Sequence, residues 1–145
     1  MASRLSVAAV IQFLQQNYDP EGAGVLKMAL LDTTSSATSQ TPLPSTVDGF
    51  TTLGECDATT YARQTLTGVD VAVVSGEIHC TVSQPSFANG GDATNDVRSL
   101  LVYIHVTDDT DSIPLSVQQI SATTLSGTTY SPSIPSTGIA KMKAT

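Results

Sequence analysis

The sequence predicts a mainly β protein: an antiparallel β-sandwich or jelly-roll-like domain with a short N-terminal helix or arm. Three observations lead there. Apolar and polar residues alternate in several short runs. Turn-forming residues interrupt those runs roughly every 8–12 positions, the spacing of sandwiches and barrels. Charged residues make up only 13% of the chain, and Ser and Thr, which suit strands and loops better than helix interiors, take their place. At 145 residues the chain has the length of one domain, with 1–24 as the helix or arm and 25–145 as the β domain.

The elements follow in order. Val7, Val10, Ile11 and Leu14 fall at i, i+3, i+4 and i+7, one stripe of a helix. Ser3 or Ser6 would cap its start, and Asp19, Pro20 and Gly22 end it. Residues 25–31 form the first strand, apolar on both faces apart from Lys27. Residues 33–46 then hold nine Ser or Thr in fourteen positions, with Pro42, Pro44 and no charge. That stretch has nothing with which to form a core, so it reads as a long loop, either functional or disordered. Residues 50–56 and 61–66 are short strand candidates.

Further along, Val69, Val71 and Val73 alternate with Asp70 and Ala72, and Ile78, Cys80 and Val82 alternate with His79 and Thr81. The Ser75 and Gly76 break between these runs predicts a β-hairpin. Residues 86–96 are a loop by composition. The most apolar stretch, 100–106, reads as a central strand covered on both faces. An acidic turn at 107–112 leads into a strand at 113–120, with Pro114 where a lost donor matters least. Residues 123–130 and 138–142 supply the last strands, some eight in all.

Charge and cysteine content exclude several function classes. Thirteen acidic against six basic residues give a net charge of −7, and no Lys or Arg lies between Arg98 and Lys141. Nucleic-acid binding needs a basic stripe to neutralise phosphates, and an anionic membrane surface needs the same. The N-terminal apolar run is short for a signal peptide, and nothing approaches the roughly 20 apolar residues of a membrane span. Cys56 and Cys80 cannot make a zinc site alone. They read as two reduced, buried thiols, with a structural bridge as the alternative.

Candidate chemistry is sparse. His79 sits beside Cys80, but neighbours in a strand point to opposite faces. His105, between Ile104 and Val106, reads as an outward polar position. Asp108, Asp109 and Asp111 resemble half a calcium loop without its glycine and distant Glu, so a solvated acidic turn is the expectation. Asp92 and Asp96 are read the same way. Gly90 and Gly91 lack the Lys and Ser/Thr of a phosphate-cradling loop, and no G-x-S-x-G elbow occurs. With no Trp and 5% aromatic residues, a sugar-stacking cleft is poorly supplied. The expectation is no enzyme, no catalytic residue, no metal and no cofactor.

The order of features resembles a family of small virion proteins of tailed bacteriophages. The matching pieces are the strand VLKMALLD at 25–32, the distinctive YARQTLTG at 61–68 and the strand at 77–82. The apolar strand at 100–106, the acidic turn, Pro114 with Leu115, and the Gly-led 138–143 complete about two thirds of the chain. Two departures stand out: Pro85, Ser86 and Phe87 replace a usual tryptophan, and the 33–46 loop is expanded. The resemblance implies a capsid decoration (cement) protein, made in the host cytoplasm and seated on the virion's capsid surface. Its partners would be the major capsid protein and its own copies, as a homotrimer. The N-terminal segment and the 33–46 loop would reach onto neighbours. A tail, neck or host-adsorption component is the rival, followed by a sugar-binding or hydrolytic β domain.

Overall fold

The computed structural model describes residues 26–88, 93–127, 129–136 and 138–143. The expected N-terminal helix or arm, Asp92, Gly90 and Gly91 lie outside them. Seven strands occur among the described residues: β1 (Leu26–Asp32), β2 (Gln64–Thr65), β3 (Asp70–Val74), β4 (Glu77–Thr81), β5 (Val97–Ile104), β6 (Ile113–Thr123) and β7 (Ala140–Lys143). They form two antiparallel sheets, one ordered β2-β1-β5-β6 and the other β3-β4-β7. The fold is a mainly β, sandwich-like arrangement, as the alternation predicts.

β1 and β5 are apolar on both faces because both faces are covered. Leu26, Met28, Leu30, Leu100 and Val102 face the main core, where they meet Cys80, Leu66 and Phe87. Ala29, Leu31, Leu101 and Tyr103 face the other way, into a second core closed by Ala37, Val47 and Phe50. Burying an apolar side chain of this size contributes about 1.5–3 kcal/mol, so neither face could be left to water.

The second core corrects the reading of the 33–46 segment. It does contribute to a core: Ala37 is buried and Leu43 packs beside it. Two apolar contacts suffice because side-chain hydrogen bonds also hold the segment, both to its own backbone and to the backbone of 51–52 beside it. Asp32 Oδ1 accepts from Thr34 N at 2.7 Å, Ser36 Oγ accepts from Thr52 N at 3.0 Å, and Gln40 Oε1 accepts from Thr51 N at 3.1 Å. Composition counts Ser and Thr as loop formers but does not reveal which of them bridge.

Strand extents also differ. Residues 50–56 form no strand; their backbone meets β1 through Asp32 N donating to Gly54 O (2.7 Å), Cys56 N donating to Leu30 O (2.9 Å) and a bridge at Glu55. The 61–66 candidate shrinks to β2, since Tyr61 and Arg63 turn inward as described below. Residues 123–130 contribute the end of β6 and the Tyr130 bridge to Phe87. The hairpin is as expected: Ser75 (φ 51°) and Gly76 (φ 80°) both take the left-handed conformation of a type I′ turn.

Candidate functional site

The most organised polar constellation centres on Arg63. Its Nε and Nη2 donate to Glu55 Oε1 (2.8 Å) and Oε2 (2.6 Å). Nη1 and Nη2 donate to Asp109 Oδ1 (2.5 Å) and Oδ2 (2.8 Å), and Nη1 also donates to the Tyr103 hydroxyl at 3.2 Å. These five bonds use all five guanidinium donors, the planar-fork geometry that lysine cannot supply. The guanidinium carbon also lies 5.4 Å from the Tyr103 ring centroid, within cation–π range. Tyr61 extends the network: its hydroxyl donates to Glu55 Oε1 (2.8 Å) and accepts from Leu30 N (3.0 Å).

The network ties the segment before β2, the turn after Gly54 and the acidic turn to the central strands. Arg63 holds the Asp109 carboxyl below its usual range by direct hydrogen bonding. Burial, reinforced by the Glu55 charge, pushes the Tyr61 phenol far up. A general acid needs a carboxyl held above its ordinary range; Asp109 is shifted the opposite way. The arrangement serves as a clamp.

The acidic turn is built from its own carboxylates. Asp108 Oδ1 accepts from Thr110 N (2.8 Å) and Thr110 Oγ1 (2.6 Å), and Asp111 Oδ1 accepts from Thr107 N (2.9 Å) and Asp108 N (3.0 Å). Those bonds lower the Asp111 pKa. The three aspartates thus spend oxygens on the backbone, on Thr110 and on Arg63. Among the described residues no cluster of three or more His, Cys, Asp or Glu could hold a metal. Asp96, just before β5, accepts from Thr124 Oγ1 at 2.7 Å.

The histidines stand apart. His105 Nδ1 lies 3.4 Å from Ser112 Oγ, a pairing that invites a nucleophile reading. Ser112 is fully buried, however, and its hydroxyl donates to Asp108 O and accepts from Val106 N. It closes the turn and presents nothing to a substrate. His79 Nε2 meets Glu77 Oε2 at 3.2 Å on the outer face of β4, while Cys80 points into the main core.

Both cysteines are free, buried thiols, and burial raises their pKa. A reactive cysteine needs the reverse shift. We expect an aromatic disulfide reagent to modify neither thiol rapidly in the native protein and both once urea unfolds it. Rapid native labelling of either would contradict the burial.

Another surface feature among the described residues is uncharged. A groove of about 350 Å³ runs between the 37–43 segment and β6, lined by Ala37, Gln40, Leu43, Val117 and Gln119 with two threonines. Beside the acidic turn, Val106 and Ile113 are exposed large apolar side chains. No charged residue occurs from 112 to 140.

Comparisons with protein-family models, with curated proteins and with solved structures find no match for this chain.

Proposed function

We propose that this chain is a structural protein of the tailed-phage virion, of the capsid decoration type, which binds the head surface and bridges major capsid subunits. The observation that carries the reading is an uncharged stretch: residues 112–140, including the whole of β6, hold no charged side chain. Depletion of charge marks the cores of protein–protein interfaces. The sequence resemblance adds the phage setting, and the Arg63 clamp gives the surface a rigid frame. The clustering of copies as a trimer belongs to the same proposal.

The test is the copy number per particle, by quantitative mass spectrometry of purified virions. Several hundred copies in simple ratio to the major capsid protein are expected. A dozen or fewer would move the protein to the tail or neck, and absence would overturn the virion reading.

A further inference from the structure

We infer that residues 33–53 form a strap that lifts as one unit from the outer face of β1 and β5, hinged at Asp32 and Gly54 and latched at its far end by the acidic turn.

The hydrogen bonds divide in the way such a unit requires. The two arms of the strap are tied to each other. Ser36 N donates to Thr52 O (2.9 Å) and Ser36 Oγ accepts from Thr52 N (3.0 Å). Gln40 Nε2 donates to Gly49 O (3.2 Å), and its Oε1 accepts from Thr51 N (3.1 Å). Among the described residues, the strap bonds to the rest of the fold at two places only. At the neck, Asp32 N donates to Gly54 O (2.7 Å) and Thr33 N donates to Asp96 O (3.1 Å). At the far end, Val47 N donates to Ser112 O (2.9 Å) and Asp48 N donates to Asp109 O (3.0 Å). The Arg63 clamp fixes the seat of that latch through the Asp109 carboxylate. Gly54, at φ 58° and packed against the Ser35 backbone, holds the neck. Element-terminal positions of this kind absorb the dihedral change of a hinge.

Between neck and latch, apolar contact alone holds the strap down. Leu43, Val47 and Phe50 cover Ala29, Leu31, Leu101 and Tyr103. Two features weaken that closure. The groove of about 350 Å³ runs between the 37–43 stretch and β6, so one flank of the strap meets the sheet loosely. Ser99 pairs with Leu31 and Gln119 and shares the Leu101 face of β5. It is buried, and its hydroxyl has no hydrogen-bond partner among the described residues. Covering that hydroxyl carries a desolvation penalty that opening removes. A segment bonded mainly to itself opens sub-globally, as a cooperative unit. Lifting it uncovers the second core while the main core, with Cys56 and Cys80, stays shut. The inference goes beyond the virion reading and does not depend on it.

Native-state hydrogen exchange of the full chain in low urea tests it. The amides of Ser36, Gln40, Val47, Asp48, Thr51 and Thr52 are expected to share one opening equilibrium. They should exchange at least about tenfold faster than the β1–β5 ladder, after correction for intrinsic rates, and with weaker urea dependence. Ile78→Val, in β4 and outside the strap, should speed the ladder and leave the strap unchanged. Ala29→Cys places a thiol under the strap, and a thiol reagent should reach it at least about tenfold faster than Cys56 or Cys80. Strap amides that follow the ladder in rate, urea dependence and response to Ile78→Val would overturn the inference. So would strap amides that each exchange independently, or an Ala29→Cys thiol as slow as the native pair. Copy number in virions is read separately, so either conclusion can fail alone.

Discussion

Replacing Arg63 by alanine is expected to destabilise the fold by about 2–4 kcal/mol, measured as a lower urea midpoint at neutral pH. Removing one partner of a buried ion pair costs about 3–5 kcal/mol. Here the side chains are 23%, 24% and 32% exposed for Arg63, Glu55 and Asp109, so water relieves part of that cost. The loss is large because two carboxylates are left facing each other and the Tyr103 hydroxyl loses its donor. Arg63→Lys should recover less than half, since a point charge cannot make parallel bonds to two carboxylates. A lysine variant as stable as wild type would show that only net charge matters.

The same clamp sets an acid-side dependence. The Asp109 pKa is lowered in the folded state. Its contribution is therefore fully present above the unfolded-state pKa and is lost as pH falls through the lower folded value. The difference in stability between wild type and Arg63→Ala should shrink below about pH 4. A difference that stays constant down to pH 2 would remove Asp109 from the account.

Gly138→Ala is expected to cost at least about 3 kcal/mol, from two effects at once. The residue has φ 83°, a region L side chains rarely adopt, and an added Cβ would overlap the Cys80 carbonyl oxygen and sit 2.6 Å from its carbon. That carbonyl accepts from Ile139 N (2.9 Å), the bond that leads the chain into β7. Relief would have to push β7 away from β4. Gly76→Ala separates the two effects, because Gly76 has φ 80° but open space around its Cα. It should cost only about 1–2 kcal/mol. Equal losses in the two variants would mean that backbone strain, and not the close approach, sets the cost at Gly138.

The sheets were legible in the sequence where period-2 alternation or unbroken apolarity was strong. The 69–82 hairpin is one case, with Ser75 and Gly76 supplying the turn; the doubly covered strands expected at 25–31 and 100–106, and observed at 26–32 and 97–104, are another. Legibility failed where long-range polar contacts decide the backbone. Nothing local in YARQTLTG says that Arg63 will find Asp109, 46 positions away, or that Gln40 will carry the backbone of Thr51. Residues 50–56 read as a short strand candidate, and Phe50 and Leu53 do pack inward, though onto the second core and without a ladder. The Arg63 clamp was missed for the same reason. The one available signal is the scarcity of cations: with six Lys and Arg in 145 residues, an Arg between Tyr61 and the apolar Leu66 stands out.

The pairing of β1 with β5 bears on how the chain is made. Leu26 pairs with Ile104, 78 positions later. At roughly 5–20 residues per second of synthesis, the first strand waits about 4–16 s for its main neighbour. Through that interval a nearly all-apolar segment, suited to pairing with any exposed edge, has only the two-residue β2 and the bridge at Glu55 to pair with among the described residues. Lys27, the only positive charge in β1 and partly exposed in the finished fold, sits where a gatekeeper is needed. Its value lies in the nascent chain, before any of the contacts described above exist.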